Sequence, residues 1–157
     1  MLKALSYYLS LPFIYAVSLL PFPLLYLLSD GLYLLLFHVV KYRRKVVMTN
    51  LRRSFPQKSE EELRAISKSF YRHLADLALE TLKTLTISPG QLKKRVTLGD
   101  CSALEHYHRQ NQSVILVMGH YGNWELAGAR FALEPLHTLF VIYHPLRNRY
   151  FERLFCR

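Results

Sequence analysis

The first forty residues of the chain are almost continuously apolar. No charged residue occurs from Ala4 to Ser29, and after Asp30 the apolar character resumes from Gly31 to Val40. About 20 apolar residues suffice to cross a bilayer, so this length predicts one span. Prolines interrupt the stretch and favour a single tilted or kinked anchor, or two short helices lying partly in the membrane. We therefore predict a membrane anchor over residues 1–40.

A basic cluster of Lys41, Arg43, Arg44 and Lys45 follows the anchor. It outweighs Lys3 on the other side, so the positive-inside rule places residues 41–157 on the cytoplasmic side. These cations either bind lipid phosphates or only set the topology. A cleaved signal peptide is disfavoured, because no small-residue cleavage site is present and the basic residues follow the apolar run. A buried helical hairpin of a soluble protein is the remaining alternative.

The next segment has the pattern of an amphipathic helix. Ser59 and Glu62 have the spacing of a capping box, and Glu60 and Glu61 add acidic side chains that favour the amino-terminal end of a helix. Apolar residues then recur at three- and four-residue intervals, which predicts one inward-facing stripe. The predicted stripe consists of Leu63, Ile66, Phe70, Leu74, Leu77 and Leu85, with Arg64, Lys68, Arg72 and Lys83 on other faces.

The carboxy-terminal part has the pattern of an α/β protein. Residues 113–118 are an apolar run typical of a central strand covered on both faces, and 139–143 resemble a second short strand. A helix is expected between them over 124–133, and shorter helices around 93–96, over 102–110 and from Pro145 onward. The predicted fold class is therefore α/β, a sheet with flanking helices behind the anchor.

Composition restricts the partners. The chain has 157 residues, is 51% hydrophobic and carries a net charge of +10, which excludes a disordered tail and favours an anionic partner such as lipid headgroups or an acidic protein. Nucleic acid is disfavoured, because no zinc-finger spacing or RNA-binding signature is present. The two cysteines, Cys101 and Cys156, are far apart and indicate a reduced, cytosol-facing domain.

The candidate chemistry follows the first predicted strand directly. His120 and Glu125 are five residues apart, which is the wrong spacing for one helix face, so they can meet only across a strand-to-helix turn. Gly122 permits a tight backbone there, and Asn123 can cap the helix. The Glu125 carboxylate would fix the His120 tautomer and leave the other ring nitrogen as a general base. A structural histidine bonding a loop is the alternative. A metal site is not predicted, because no second His or Cys has ligand spacing.

Two blocks resemble the bacterial lipid A biosynthesis late acyltransferases, relatives of the glycerolipid acyltransferase superfamily. The first runs from Arg44 to Leu51, and the second is the Gly-His-Tyr-Gly-Asn-Trp-Glu segment over 119–125, which contains a His-x4-Glu motif. Residues 143–148 are similar to a further family block. The resemblance covers essentially the whole chain and implies a glycerolipid-acyltransferase-like sheet.

The resemblance also implies an activity and its residues. It implies an inner-membrane enzyme that moves a fatty acyl chain from an acyl carrier protein or coenzyme A thioester to a hydroxyl of a lipid A precursor or related lipid. His120 would be the base and Glu125 its partner, with Asn123, His144 and Arg147 in substrate binding. The family places a phosphate-binding Arg where this chain has His144, and Arg147 or Arg149 would substitute. No cofactor is implied.

Relatives in this family are about twice as long, so the chain resembles an amino-terminal half. The predicted sheet is therefore incomplete, with an open apolar edge prone to association. Two other classes stay open. One is a catalytically inactive, membrane-associated fragment that retains the motif, and the other is a helical membrane protein with a structural role, which requires that residues 113–143 form no strands.

Overall fold

The structure is a computed structural model that describes residues 2–119, 121–134, 136–142 and 144–155. Its regular elements are helices, and one of them continues into a short π-helix. The helices are α1 (Leu2–Leu19), α2 (Phe22–Leu34, continued by the π-helix Leu35–Val39), α3 (Arg44–Ser54), α4 (Glu60–Lys83), α5 (Pro89–Arg95), α6 (Ser102–Arg109), α7 (Trp124–Phe131) and α8 (Arg149–Phe155).

The chain forms two compact units. The inner unit is Leu20–Glu80, and the terminal unit combines Met1–Leu19 with Thr81–Arg157. These units are defined by packing and not by a membrane boundary, so the predicted division into an anchor over 1–40 and a domain over 41–157 stays a prediction.

The inner unit is built around an aromatic core. Tyr33 and Phe37, from α2 and the π-helix, are buried against Tyr71 and Ala75 of α4. The rings of Phe37 and Tyr71 meet edge to face with centroids 5.4 Å apart, a favoured aromatic geometry. The Tyr71 hydroxyl donates a hydrogen bond to the Tyr42 carbonyl, which ties the segment after the π-helix to this core.

The capping box predicted for α4 is confirmed. The Glu62 amide donates to Ser59 Oγ at 3.2 Å, and the Ser59 amide donates to Glu62 Oε2 at 2.8 Å. Glu62 also forms an ion pair with Lys58 at 3.0 Å. The Ser59 amide, followed by the Lys58 ammonium, lowers the pKa of Glu62 from 4.5 to about 2.

The lowered pKa of Glu62 predicts an acid-sensitive start of α4. A carboxylate whose pKa is depressed in the folded state stabilises that state above the unfolded pKa and stops doing so as the pH falls through the folded pKa. The contribution of Glu62 to the free energy of unfolding should therefore be lost between pH 4.5 and about 2. Carboxyl NMR titration should show Glu62 titrating near the bottom of that window. In Ser59→Ala the pKa should rise toward its ordinary value, and an unchanged value would contradict this assignment.

The buried stripe of α4 differs from the predicted one. Of the predicted residues, Leu63 is buried, whereas Phe70 is 42% exposed. The observed stripe recurs every four residues and includes small and polar side chains. Within the inner unit, Tyr71 and Ala75 of this stripe pack with Tyr33 and Phe37, and the predicted Leu74 is partly buried against them. The buried residues of this stripe are Leu63, Ser67, Tyr71, Ala75, Leu79 and Lys83.

Lys83 is predicted on a face of α4 other than the inward stripe, and that prediction is wrong. It is only 4% exposed and its ammonium donates to the Ser18 carbonyl at 2.7 Å. Thr86 Oγ1 donates to the same carbonyl. The last carbonyls of a helix have no intrahelical partner, and Ser18 lies at the end of α1, so Lys83 and Thr86 cap that helix within the terminal unit. Burial, and then the nearby Arg95, lower the pKa of Lys83.

The apolar amino terminus forms two helices, in agreement with the predicted helical pair. α1 ends at Leu19 and α2 begins at Phe22, with Pro21 as its N-cap residue and Pro23 in its first turn. Within the described residues one helix, Phe22–Val39, is long and apolar enough to cross a membrane, and the segment Ala4–Leu19 is a shorter apolar helix.

The predicted α/β fold is wrong, because the described residues contain no strand or sheet. The runs 113–118 and 139–142 have no regular secondary structure, and residue 143 lies outside the described residues. Several of their apolar side chains face solvent: Ile115 is 93%, Val117 88% and Phe140 86% exposed. A strand is stable only when a neighbour pairs with its backbone, and an apolar run predicts the strand but cannot supply that neighbour.

The exposure of Val117 predicts that a charged side chain is tolerated at this position. Because Val117 is 88% exposed, Val117→Lys should change the free energy of unfolding by no more than about 0.5 kcal/mol. Chemical unfolding followed by circular dichroism measures this change. Val17→Lys is the matched control, since Val17 is 4% exposed in α1 and an unpaired buried charge should be strongly destabilising. A comparable loss in the free energy of unfolding for both variants would contradict the exposure of Val117 and would mean that the 113–118 run is buried.

Candidate active site

The segment carrying the His-x4-Glu motif ends in a tight turn that starts α7. Gly122 has φ +63°, in the left-handed region that residues with a side chain rarely adopt. Asn123 is the N-cap residue of α7, and its Oδ1 accepts a hydrogen bond from the Leu126 amide at 2.9 Å. Leu126 is 5% exposed and fixes α7 in the terminal unit. The predicted roles of Gly122 and Asn123 in shaping this turn are therefore confirmed.

Glu125 lies in the first turn of α7, exposed to solvent. Thr81 Oγ1, near the end of α4, donates a hydrogen bond to Glu125 Oε2. The contact joins residues 44 positions apart within the terminal unit. A carboxylate accepts through both oxygens, so Oε1 can accept an imidazole N–H while Thr81 holds Oε2.

Thr81 has no counterpart among the residues predicted from the sequence. A threonine in an amphipathic helix has no distinctive pattern, and its partner is far away along the chain. In the sequence, only the position of Thr81 near the end of α4 indicates that its hydroxyl can contact a residue outside that helix.

His120, the predicted general base, lies outside the described residues. Its pairing with Glu125 therefore stays a prediction. On the carboxy-terminal side the Tyr121 amide donates to the Gly119 carbonyl at 2.9 Å, and the Tyr121 side chain is 94% exposed. The side chains of Tyr121 and Glu125 thus both face solvent.

The other predicted substrate-binding residues precede α8. His144 and Arg147 are both exposed. His144 Nδ1 lies 3.0 Å from the Pro145 carbonyl, which can only accept, so this contact requires a proton on Nδ1. Glu152 of α8 accepts from the Leu146 amide at 2.6 Å and orders the segment between them. The predicted substrate contacts of Asn123, His144 and Arg147 stay predictions.

Arg130, in the carboxy-terminal half of α7, forms the contacts that hold this helix in place. Arg130 Nε donates to the Val96 carbonyl at 3.1 Å, just beyond α5, and the Arg130 guanidinium pairs with Glu134. Arg130 lowers the pKa of the Glu134 carboxyl through this contact. In the described part of the chain, no group of three or more His, Cys, Asp or Glu side chains is placed so that it could hold a metal ion.

The comparisons with known proteins point to one family. The sequence model described as bacterial lipid A biosynthesis acyltransferase matches residues 1–157. No curated protein and no solved structure matches the chain significantly. The match covers the turn at Gly122, the carboxylate of Glu125 and the apolar helix Phe22–Val39. The chain therefore belongs to the bacterial lipid A biosynthesis acyltransferase family.

Proposed function

We propose that the protein transfers a fatty acyl chain from an acyl thioester to a hydroxyl of a lipid A precursor or related lipid. The family match over residues 1–157 carries this proposal. The donor is an acyl carrier protein or coenzyme A thioester, and the net charge of +10 complements the acidic surface of a carrier protein. The reaction takes place at the inner membrane, with the motif on the cytoplasmic side, as the basic cluster after the apolar segment favours.

His120 and Glu125 have separate roles in the proposed reaction. His120 takes the proton from the acceptor hydroxyl as its oxygen attacks the thioester carbonyl. The tetrahedral intermediate collapses, the carbon–sulfur bond breaks, and the imidazolium returns the proton to the departing thiolate. Glu125 accepts the other ring N–H and stabilises the positive charge on His120 during the transfer. Thiolate is a good leaving group, so the balanced reaction needs no metal or organic cofactor.

The local structure supports these roles. Gly122 turns the chain, Asn123 caps α7, and Thr81 holds one oxygen of Glu125. A carboxylate held by a side chain from another helix loses less conformational entropy when it orients an imidazole. Asn123, His144 and Arg147 are the proposed contacts to the substrate, with Arg147 or Arg149 supplying the cation for a phosphate group.

Replacing Thr81 is expected to lower the rate of acyl transfer less than replacing His120 does. The replacement tests whether the Thr81 hydroxyl positions Glu125. Thr81→Val removes the hydroxyl that donates to Glu125, and we expect kcat to fall about tenfold, the cost of one hydrogen bond to a charged group. The KM for the thioester should not change, because Thr81 would act through Glu125. Thr81→Ser keeps the hydroxyl and should restore most of the rate. Equal losses in both variants would contradict this role, because Thr81→Ser keeps the hydroxyl that donates to Glu125.

A specific observation favours a second candidate, a catalytically inactive membrane-associated protein. Apolar side chains of the runs 113–118 and 139–142 face solvent on both sides of the motif, with Ile142 fully exposed. An acyl-chain pocket requires apolar walls that are shielded from water. In this candidate the motif is present, but the exposed runs 113–118 and 139–142 do not form shielded walls for an acyl chain.

Product analysis decides between these candidates. The full chain, purified in detergent, is incubated with a radiolabelled acyl carrier protein thioester and a lipid A precursor. The proposed function predicts one new acyl ester for each thiol released, with a parallel assay on acyl coenzyme A defining the donor. Thiol release without ester would show hydrolysis in place of acyl transfer and would contradict the proposed function, whereas no reaction with either donor would favour the inactive candidate.

A further inference from the structure

An aromatic cluster joins α1 to α8 within the terminal unit. The Tyr7 ring of α1 stacks on the Tyr150 ring of α8, with the two centroids 5.6 Å apart and the ring planes 28° apart. Tyr7 also meets Phe151 edge to face at 5.3 Å. Both are favoured aromatic geometries, and Tyr7 is only partly exposed beside these rings. α8 is therefore held on α1 by stacked side chains from both helices.

The other end of α1 is fixed as well. The Ser18 carbonyl accepts hydrogen bonds from Lys83 and Thr86, and Ser18 itself is 0% exposed. The last turn of α4 also carries Thr81, whose hydroxyl donates to Glu125. α1 therefore connects the segment that holds the motif carboxylate to α8, and both connections lie within the terminal unit.

The segment that leads into α8 is ordered by its own hydrogen bonds. Glu152 accepts from the Leu146 amide at 2.6 Å, and Asn148 Oδ1 accepts from the Tyr150 amide at 3.1 Å. Arg149 has an exposed side chain, and its Cζ lies over the Tyr150 ring at 5.4 Å from the centroid, a cation–π distance. The Tyr150 ring thus contacts both the aromatic residue of α1 and the guanidinium of Arg149.

We propose that Tyr7 is a positioning residue for the acceptor lipid and that the cation it positions is Arg149. Tyr7 holds the Tyr150 ring, the ring holds the Arg149 guanidinium, and the guanidinium binds a phosphate of the acceptor. A guanidinium can contact an aromatic ring and still donate in-plane N–H groups to two phosphate oxygens. The proposal rests on the proposed function, because it assigns the phosphate contact of the same site, and it makes α1 a part of that site.

Acceptor binding in the absence of a thioester tests the role of Arg149. The full chain, immobilised in detergent, is incubated with radiolabelled lipid A precursor or with the same precursor after phosphatase treatment. The unsubstituted protein should bind the phosphorylated form about tenfold more tightly, the contribution of a hydrogen bond between charged groups. Arg149→Gln should lose this preference and bind the dephosphorylated form as before. Arg153→Gln, which removes an exposed cation from the same helix, is the matched control and should keep the preference.

Variants of Tyr7 test the positioning. Tyr7→Leu keeps apolar bulk but has no ring to stack on Tyr150, so the phosphate preference should fall below about threefold. Tyr7→Phe keeps the ring and should retain the preference. Phe13→Ala, which changes a 66% exposed aromatic residue of α1, should retain it too. In the transfer assay, Tyr7→Leu should raise the KM for the acceptor several-fold, with kcat and the KM for the thioester unchanged.

Hydrogen exchange gives a readout that needs no acyl transfer. The Leu146 and Tyr150 amides should exchange faster in Tyr7→Leu than in Phe13→Ala, because α8 loses its contact with α1. The proposal is overturned if the unsubstituted protein shows no phosphate preference, if Tyr7→Leu keeps that preference, or if Tyr7→Leu weakens binding of both lipid forms equally. If no acyl ester forms but the phosphate preference is lost in Tyr7→Leu and Arg149→Gln as described, the proposed function fails and this assignment stands.

Discussion

Replacing His120 with alanine is expected to lower kcat/KM for acyl transfer by at least about a hundredfold, the usual contribution of a general base. Without the imidazole, the acceptor hydroxyl must attack the thioester with its proton still attached. The loss should be in kcat, because the proposed role begins only after both substrates are bound. Ester formation by the purified full chain, measured over a range of acceptor concentrations, separates kcat from KM.

The matched control is His106→Ala. His106 is an exposed histidine of α6 whose ring contacts Gln110 at 3.1 Å, and its removal should leave the rate within about twofold. Glu125→Gln keeps the size of the side chain but not its charge, and should slow transfer substantially through a poorly oriented His120. If the His120→Ala variant transfers acyl chains as fast as the unsubstituted protein, the imidazole does not act as the proposed base.

Replacing Tyr71 with alanine is expected to destabilise the protein by about 3–5 kcal/mol, the range for removing a large buried aromatic side chain. Tyr71 is 0% exposed and packs edge to face on Phe37. Its loss leaves a cavity in the core of the inner unit and removes the hydrogen bond to the Tyr42 carbonyl. Urea unfolding followed by circular dichroism in detergent measures the change.

Two variants divide this effect into its parts. Phe70→Ala is the neighbouring control, since Phe70 is 42% exposed and its removal should cost much less than that of Tyr71. Tyr71→Phe keeps the ring and removes only the hydroxyl, so we expect a loss of about 1 kcal/mol. If Phe70→Ala costs as much as Tyr71→Ala, the buried face of α4 has been assigned to the wrong residues.

Local signals in the sequence predicted the local structure well. The capping box at Ser59, the cap at Asn123 and the tight turn at Gly122 each depend on residues within a few positions of one another. The break between α1 and α2 follows from proline chemistry in the same way. Features of this kind can be predicted from the sequence without knowing the rest of the fold.

Features that depend on distant partners were missed. The runs around Val117 and Phe140 are apolar enough for strands, but strand formation depends on a paired neighbour that the described residues do not provide. The burial of Lys83 depends on the end of α1, 65 residues away, whose carbonyl it binds. The Thr81–Glu125 contact likewise joins two helices that only the tertiary structure brings together.

A double-mutant cycle on acyl transfer tests the central claim most directly. If Glu125 acts only by orienting His120, the variant His120→Ala, Glu125→Gln should be no slower than His120→Ala alone, because the second change removes the partner of a missing base. Rate losses that multiply, so that the double variant is slower by the product of the two single losses, would show that the two residues act independently and would contradict the proposed pair.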